Sequence, residues 1–324
     1  MSGPSGTWLG AAGLADLETR EPMTPEARMR LESVSKIYTA ALVARIEQDG
    51  LLSLEDTVER WRPGLLPYGD EITLRQLLAM SSGMVDNNDI VRAPRRYLAN
   101  VGDPALRRRL VRLAERTETN PALDFAPIWW IRLAAWQPLR FEPGTGYHYS
   151  NIGYEVLGLA AARAAGRPLG GLYEELVIDP LGLRATAYDP RGPIAGPHAK
   201  GYALASDRTA TDTTEIHPGV GAEGGIVANA EETAAFLVAL MRGELVDAAH
   251  VEALRGSALW AGGSASGCAG PAYGWSGGGA GYKTNVWVSG DGTRVAVLLL
   301  NGRLDGGGSD AAAQHALARL YCSA

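Results

Sequence analysis

The sequence predicts an α+β protein, and three observations support this fold class. Apolar residues recur at helical spacing in several stretches, of which the clearest begins at Ser33 and stops near Gly50. The last third changes to strand character, with β-branched residues over 282–288 and 294–300. Between these two stretches lies Gly290-Asp291-Gly292, a turn that predicts an antiparallel hairpin.

The other elements follow in order along the chain. A short strand is expected over Thr7–Gly13. Helices are expected to begin at Leu51 and at Ile72, and the second of these should stop at Ser81-Ser82-Gly83. Further helices are expected over 152–165, 172–177, 230–242 and 310–320.

Composition limits the classes of function. The chain has 324 residues, of which 46% are hydrophobic and 20% charged, enough for one large domain or two closely joined ones. A net charge of −6 without a basic stripe argues against a nucleic-acid partner. No apolar run reaches about 18 residues, so no membrane span is predicted.

No cofactor is expected either. The histidines, at 148, 198, 217, 250 and 315, show no ligand spacing, so no metal site is predicted. The glycine-rich run Gly274–Tyr282 leads into a strand rather than a helix, which argues against a dinucleotide-binding loop.

The motif that carries chemistry is Ser33-Val34-Ser35-Lys36. Residues three apart share one face of a helix, so the lysine amine is expected within reach of the serine hydroxyl. A serine hydroxyl is a weak nucleophile that needs a base, and a desolvated lysine can act as that base. Alone, the pattern also fits a capping serine followed by a solvated lysine. Lysine is scarce, however, and otherwise occurs only at Lys200 and Lys283.

Two further motifs follow in order. Tyr149-Ser150-Asn151 presents a phenol and an amide with one residue between them, after a turn at 141–146. The phenol can exchange a proton when cations lie near, and the amide can donate to a substrate carbonyl. The glycines of Gly274–Tyr282 allow close approach of an acyl group, and a backbone N–H there can complete an oxyanion hole.

In these motifs the chain resembles the serine β-lactamase and penicillin-binding-protein superfamily, in its class C-like branch. That branch includes DD-carboxypeptidases, D-aminopeptidases, family VIII carboxylesterases and related acyltransferases. Ser33–Lys36 matches the first motif and Tyr149–Asn151 the second, while 77–84 and 222–227 match lesser signatures. The resemblance covers nearly the whole chain.

The resemblance implies a class C β-lactamase-like fold, with an antiparallel sheet flanked by helices plus a helical subdomain. The sheet domain is expected to comprise residues 1–84 and 206–324. Residues 85–205 are expected to form a mostly helical domain that carries the Tyr-x-Asn motif.

The resemblance also implies roles for individual residues. Ser33 would be the acylated nucleophile, and Lys36 and Tyr149 would share the general-base work. Asn151 would orient the lysine and the substrate. The backbone N–H groups of Ser33 and Gly278 would form the oxyanion hole.

The third motif departs from the family pattern at Trp275, which stands just before Gly277 and Gly278 in the substrate-binding stretch. The family usually has His or Lys there, and that cation helps to bind the carboxylate of a peptide or β-lactam. Tryptophan offers one N–H donor and an apolar face but no charge. Some family VIII esterases and an acyltransferase branch also carry Trp here. Neutral ester, thioester or amide substrates are therefore favoured over C-terminal D-peptides.

The N-terminus and the two cysteines bear on the cellular compartment in which the protein is expected. Residues 1–6 have neither a charged nor an apolar signal-peptide region, and the family's usual helix and strand before Thr7–Gly13 are not seen. Cys268 and Cys322 need not pair, because two buried thiols fit the sequence equally well. They stand, however, where some secreted relatives have a disulfide. The resemblance thus favours a bridge and an extracellular or periplasmic location.

Residues 85–140 combine an arginine-rich stretch with Trp129, Trp130 and Trp136. The arginines fit solvated helix faces better than an anion site, and tryptophans are more often core residues than a ligand wall. These tryptophans nevertheless lie shortly before Tyr149, in the region that would roof a cleft. We therefore hypothesise that they line an acyl pocket.

The sequence thus predicts a serine hydrolase that forms an acyl-enzyme on Ser33 and acts as a carboxylesterase or acyltransferase. A DD-carboxypeptidase or D-aminopeptidase of the penicillin-binding type is one alternative. A degenerate binding protein without catalysis is another. The expected partner is a small-molecule or peptide acyl substrate, and the oligomeric state stays open.

Overall fold

The computed structural model describes residues 1–4, 6–119, 126–205, 207, 209–215, 220–257, 272–279, 281–304 and 308–324. The chain divides into two compact units. The sheet unit comprises Met1–Arg45, Gly170–Glu215 and Gly224–Ala324, and the helical unit comprises Ile46–Leu169 and Ile216–Glu223.

The helices of the described residues are, in chain order, α1 (Ser35–Gln48), α2 (Val58–Trp61), α3 (Leu74–Leu78), α4 (Asn87–Arg92), α5 (Pro94–Ala99), α6 (Pro104–Thr119), α7 (Pro127–Ala134), α8 (Asn151–Ala165), α9 (Leu169–Tyr173), α10 (Ala230–Met241), α11 (Ala248–Arg255) and α12 (Gly308–Ser323). Glu32–Val34 and Asp179–Leu181 are single 3-10 turns, and Glu174–Ile178 is a π-helical turn. None of the helices in this part of the chain is both long and apolar enough to cross a membrane.

The strands of the described residues are β1 (Ser2–Gly3), β2 (Gly6–Thr7), β3 (Met29–Arg30), β4 (Ala187–Tyr188), β5 (Tyr202–Leu204), β6 (Ala210–Asp212), β7 (Ile226–Ala228), β8 (Ala272–Gly278), β9 (Lys283–Ser289), β10 (Val295–Leu300) and β11 (Gly302–Leu304). They form a five-stranded sheet of order β2-β1-β10-β9-β8 and two three-stranded sheets, β11-β5-β6 and β3-β7-β4.

The predicted hairpin is confirmed as β9 and β10. The two strands pair antiparallel, with Lys283 opposite Leu300 at one end and Val288 opposite Val295 at the other. One face of this pair packs on α12, where the rings of Trp287 and Tyr321 meet edge to face with centroids 5.8 Å apart. Because side chains alternate along a strand, Val297 points to the other face of the sheet, where α10 packs on β10. The five-stranded sheet is therefore covered by a helix on each face.

Helix α1, as far as Arg45, lies in the core of the sheet unit, as its run of small and apolar residues predicts. Tyr38 and Phe236 are both fully buried, and their rings stack with centroids 3.6 Å apart, which ties α1 to α10. Burial of two aromatic side chains stabilises the pair by several kcal/mol, at about 1.5–3 kcal/mol each.

The helical unit is built around α8. Ser150 caps this helix through its hydroxyl, which accepts the N–H of Gly153 at 3.0 Å, and Gly166 ends it with a φ of 65°. Helices α2, α3 and α7 pack against α8. Tyr154 is fully buried, and its hydroxyl donates to the Leu78 carbonyl at 2.9 Å.

Two local predictions are wrong. The strand expected over Thr7–Gly13 is only the two-residue β2, and the next side chains, Trp8 and Leu9, are exposed. No helix begins at Leu51, because the Asp56 carboxylate accepts the N–H of Ser53 at 2.9 Å and closes a turn instead.

The unit boundaries also differ from the predicted domain boundaries at 84 and 205. Residues 46–84 form α2 and α3, which pack on α8 and so belong to the helical unit. Residues 170–205 belong to the sheet unit, where β4 pairs with β7 and β5 with β11.

A polar cluster holds the N-terminal segment within the sheet unit. Lys200 Nζ lies 3.0 Å from Asp16 Oδ2, and the Tyr202 hydroxyl donates to Asp16 Oδ1 at 3.3 Å. Burial raises the pKa of Asp16, but the Lys200 ammonium and the N–H groups of Glu18 and Thr19 outweigh burial and lower this pKa to about 2. The ionised carboxylate therefore adds stability above its unfolded pKa of about 4, and that stability is lost as the pH falls towards 2.

We expect Asp16→Asn to lower the melting temperature at pH 7. The gap between wild type and variant should close between about pH 5 and 2, because the wild-type carboxylate becomes protonated there. Thermal unfolding followed by circular dichroism at a series of pH values measures this. Glu21→Gln, which neutralises an exposed carboxylate of the same segment, should leave the melting temperature unchanged. A gap that stays constant with pH would contradict the assignment.

Candidate active site

Ser33 lies in a tight turn rather than in the first turn of a helix. Residues Glu32–Val34 form the 3-10 turn, and α1 begins only at Ser35, two residues later than predicted. Glu32 has a φ of 52°, in the left-handed region that residues other than glycine rarely adopt. Such a conformation costs on the order of 1 kcal/mol and is typical of functional sites.

The nucleophile candidate is hydrogen-bonded to the lysine of the same motif. Lys36 Nζ lies 3.0 Å from Ser33 Oγ. The Lys36 side chain is fully buried and Ser33 is half-buried. Burial destabilises an ammonium relative to the neutral amine, which is the form that can accept a proton. The pair therefore has the contact that a serine and its base require.

Both ends of this turn are fixed to β7. The Leu31 N–H donates to the Ile226 carbonyl at 2.9 Å, and the Ile226 N–H donates to the Ser35 hydroxyl at 3.0 Å. Ser35 therefore has a structural role, and Ser33 is the serine that lies beside Lys36.

Strand β8 runs along the other side of the turn. The Trp275 indole N–H donates to the Ser33 carbonyl at 2.9 Å. Gly277 packs directly on the turn, because a Cβ there would collide with the Leu31 carbonyl and lie 2.9 Å from the Ser33 nitrogen. Only glycine allows the strand to approach this closely. Gly278 follows at the exposed end of the strand.

The third motif is itself a strand, where the sequence predicted a loop leading into one. Residues Ala272–Gly278 pair with β9, with Trp275 opposite Val286 and Gly277 opposite Thr284. Alternation places Trp275 and Gly277 on the face towards the Ser33 turn. The residue between them, Ser276, donates from its hydroxyl to Asn285 Oδ1 at 3.2 Å.

The Tyr-x-Asn motif lies in the helical unit. The Tyr149 hydroxyl donates to Asn151 Oδ1 at 3.0 Å, and Asn151 Nδ2 donates to Asn87 Oδ1 at 2.8 Å. The Asn151 N–H donates to Asp86 Oδ1 at 2.7 Å. The amide group of Asn151 is therefore oriented, with its oxygen towards the phenol.

Sequence reasoning missed Asp86 and Asn87, which hold this motif in place. Asp86 caps α4 in a capping box with Asp89, and its carboxylate is almost completely buried. The stretch Asp86-Asn87-Asn88-Asp89 carries a recognisable capping pattern, so the start of α4 could have been found. Its contact with Asn151, 65 residues away, has no local signal.

Asp89 fixes the residue before the phenol. Its Oδ2 lies 2.8 Å from His148 Nε2 and 3.2 Å from Arg140 Nη2. Burial raises the pKa of Asp89, but His148, the Asp86 N–H and Arg140 outweigh burial and lower this pKa. The main-chain N–H of His148 also donates to the Met80 carbonyl at 2.9 Å.

The three tryptophans of the predicted acyl pocket lie on or just after α7. Trp129 and Trp130 are half-buried, and Trp136 is exposed. The guanidinium carbons of Arg109 and Arg132 lie 4.2 and 4.9 Å from the Trp129 ring centroid. Arg109, one of the arginines expected on a solvated face, and Arg132 of α7 itself therefore both contact this indole.

The predicted disulfide stays a prediction. Cys268 lies outside the described residues, and Cys322 lies on α12. The predicted site residues fall into two groups that each form contacts within their own unit. Ser33, Lys36, Trp275 and Gly277 meet in the sheet unit, and Tyr149 and Asn151 meet in the helical unit.

Comparison with known proteins identifies the family. The family model described as Beta-lactamase matches residues 5–320, so the chain belongs to this family, in the class C-like branch of the serine β-lactamase and penicillin-binding-protein superfamily. The crystal structure of a D-stereospecific amidohydrolase from Streptomyces sp. has a similar fold, with a TM-score of 0.74 and 23% sequence identity. The match covers 92% of this chain and 88% of the amidohydrolase chain. The predicted class C β-lactamase-like α+β fold is confirmed.

Two curated relatives are similar in sequence. Esterase EstB of Burkholderia gladioli is 34% identical over 179 residues, which are 54% of this chain and 42% of that protein. Penicillin-binding protein 4* of Bacillus subtilis (strain 168) is 25% identical over 254 residues, which are 74% of this chain and 51% of that protein. The chain thus spans about half the length of the curated relatives it matches.

We expect Asp86→Ala to lower the free energy of unfolding by about 2–3 kcal/mol, since it removes a helix cap and leaves the buried Asn151 N–H without its acceptor. Asp86→Asn keeps one oxygen acceptor and should cost less. Urea denaturation measures both. Asp103→Ala is the matched control, because Asp103 caps α6 at an exposed site, and it should cost about 1 kcal/mol. Equal losses for the two alanine variants would contradict a holding role for Asp86.

Proposed function

We propose that this chain is a serine hydrolase that forms an acyl-enzyme on Ser33 and acts as a carboxylesterase or acyltransferase. The observation that carries the proposal is the fully buried Lys36 amine 3.0 Å from Ser33 Oγ. The likeness to an esterase, at 34% identity, supports ester substrates. Trp275 supports them too, because its uncharged indole donates its N–H to the protein backbone and provides no cation for a substrate carboxylate.

In the proposed reaction Ser33 Oγ attacks the acyl carbon of an ester, thioester or amide. Lys36 and Tyr149 share the task of accepting the serine proton and passing it to the leaving group. The negative charge on the carbonyl oxygen is stabilised by the backbone N–H groups of Ser33 and Gly278. Water or an acceptor nucleophile then attacks the acyl-enzyme and releases the acyl group from Ser33.

Asn151 has a supporting part in this proposal. It orients the lysine and the substrate, as the family resemblance implies. Its hydrogen bonds to Tyr149 and Asn87 fix the orientation of its amide group. The amide oxygen accepts from the Tyr149 hydroxyl, and the amide nitrogen donates to Asn87 Oδ1.

A D-peptidase is the second candidate. Penicillin-binding protein 4* matches 74% of this chain, more than the esterase does. A DD-carboxypeptidase or D-aminopeptidase of this type would use the same Ser33 and Lys36. It would differ in forming a stable adduct with penicillin and in cleaving D-Ala-D-Ala peptides.

We expect the intact chain to hydrolyse p-nitrophenyl butyrate and to carry an acyl mass during turnover. Ser33→Ala should lower the rate by at least about 10³-fold and abolish the adduct, because the nucleophile is lost. Release of nitrophenolate and intact-mass spectrometry measure the two effects. Ser323→Ala, at an exposed hydroxyl on α12, is the matched control.

Adding penicillin labelling of the same two proteins to this experiment separates the alternatives. Penicillin labelling of Ser33 without ester turnover would favour the D-peptidase. If the chain neither hydrolyses the ester nor forms an adduct on Ser33 with the ester or penicillin, the proposal is wrong and a binding protein without catalysis is favoured.

We further propose that Trp129, Trp130 and Trp136 line the pocket for the acyl group. Replacing a pocket wall with alanine enlarges the space, so each Trp→Ala variant should shift the preference towards longer acyl chains by several-fold in kcat/KM. A series of p-nitrophenyl esters from acetate to decanoate measures this. Trp8→Ala, at an exposed tryptophan of the sheet unit, is the control. An unchanged chain-length profile in active variants would contradict the pocket.

A further inference from the structure

Three hydrogen-bond donors of the helical unit converge on one carboxylate oxygen of Asp89. This oxygen, Oδ2, lies 2.8 Å from His148 Nε2 and 3.2 Å from Arg140 Nη2. It also accepts the N–H of Asp86 at 3.3 Å. The side chains of Asp89 and His148 are half-buried. Hydrogen bonds to an ionised acceptor are stronger than those between neutral groups, so this oxygen firmly joins three separate parts of the chain.

The hydrogen on His148 Nε2 belongs to the bond with Asp89. Arg140 Nε also lies 3.1 Å from this nitrogen, but an imidazole nitrogen either donates or accepts, so it bonds to only one of the two groups. Burial raises the pKa of Asp89, but its donors outweigh burial and lower this pKa, so the carboxylate is ionised at neutral pH. It is also the nearer group. Asp89 therefore sets the orientation of the His148 ring.

The main chain of His148 is fixed as well. Its N–H donates to the Met80 carbonyl at 2.9 Å, and the hydroxyl of the preceding Tyr147 donates to Met80 Sδ at 3.5 Å. Met80 is almost completely buried and has a φ of 56°, in the left-handed region that residues other than glycine rarely adopt. Such a conformation persists only where the surrounding structure determines it. The residue before Tyr149 is therefore held at both its ring and its backbone.

The same carboxylate is connected to the other side of the phenol. The Asn151 oxygen accepts from the Tyr149 hydroxyl at 3.0 Å. Asn151 is held in turn by Asp86, which accepts its main-chain N–H at 2.7 Å. Asp86 is bound to Asp89 through the capping box of α4. Asp89 is thus joined to both neighbours of the phenol, directly to His148 and through Asp86 to Asn151.

We propose that His148, anchored by Asp89, is a positioning residue that holds the Tyr149 phenol at the place from which it exchanges a proton. The inference rests on the proposed function, in which Tyr149 shares the general-base work, and it adds a residue that acts through the phenol rather than on the substrate. Proton transfer needs its two heavy atoms at hydrogen-bond distance, and a displacement of about 1 Å can lower a rate by up to about 10²-fold. Loss of the bond between His148 and Asp89 should therefore lower kcat.

The test measures hydrolysis of p-nitrophenyl butyrate by variants of His148. His148→Leu removes the donor and should lower kcat by about tenfold, while KM changes by less than about twofold because the groups that bind the substrate remain. In His148→Gln the amide nitrogen takes the place of Nε2 and can donate to Asp89, so kcat should return to within about threefold of wild type. His315→Leu, at an exposed histidine of α12, is the matched control and should leave kcat unchanged.

A second background separates positioning from a structural role. In Tyr149→Phe the hydroxyl is absent, so adding His148→Leu should change the remaining rate by less than about twofold. A structural role for His148 would lower the rate by the same factor with or without the hydroxyl, which would overturn the inference. Full activity of Tyr149→Phe would overturn it too, because the phenol would then need no positioning.

These outcomes are distinct from failure of the proposed function. If wild type neither hydrolyses the ester nor carries an acyl mass on Ser33, the proposed function fails. If wild type turns over and Ser33→Ala does not, but His148→Leu leaves kcat unchanged, only the inference about His148 fails.

Discussion

The contact between Lys36 and Ser33 is the interaction on which the arrangement of the sheet unit depends. A lysine buried completely would be costly without a polar partner, and Ser33 Oγ is one such partner at 3.0 Å. To present that hydroxyl, the chain turns sharply between β3 and α1 and accepts an unfavourable φ at Glu32. The bonds from Leu31 and Ser35 to Ile226 hold the turn in place, and Gly277 allows β8 to close on it.

A similar logic applies to the Tyr-x-Asn motif. Consecutive residues of this motif are hydrogen-bonded to a short stretch of chain at the start of α4. The Ser150 hydroxyl donates to the Val85 carbonyl at 3.2 Å, and Asn151 is bound by Asp86 and Asn87. Because Ser150 and Asn151 are fixed and Asn151 in turn accepts from the Tyr149 hydroxyl, the motif loses little conformational freedom when a substrate binds, as preorganised sites require.

Local patterns predicted the parts of the fold that local forces decide. Asn229 caps α10 and β-branched residues flank the Gly-Asp-Gly turn, so the helix and the hairpin were predictable within a residue or two. The strand expected over Thr7–Gly13 was not, because only Thr7 of that stretch belongs to a strand, the two-residue β2, which pairs with the adjacent β1. The spacing of Ser33 and Lys36 predicted their contact, since both lie on one face of a short segment. The Asp86–Asn151 bond joins residues 65 positions apart and could come only from the fold.

The position of β8 has a further consequence for the solution behaviour of the protein. Among the described strands β8 lies at the edge of the five-stranded sheet, and the edge of a sheet is a template for pairing with another chain. Its last glycines provide little steric protection, but the Glu32 carboxylate lies directly over Gly279. A charge at an edge opposes the addition of a foreign strand. A substitution that removes the Glu32 charge therefore leaves this edge of β8 less protected against strand addition.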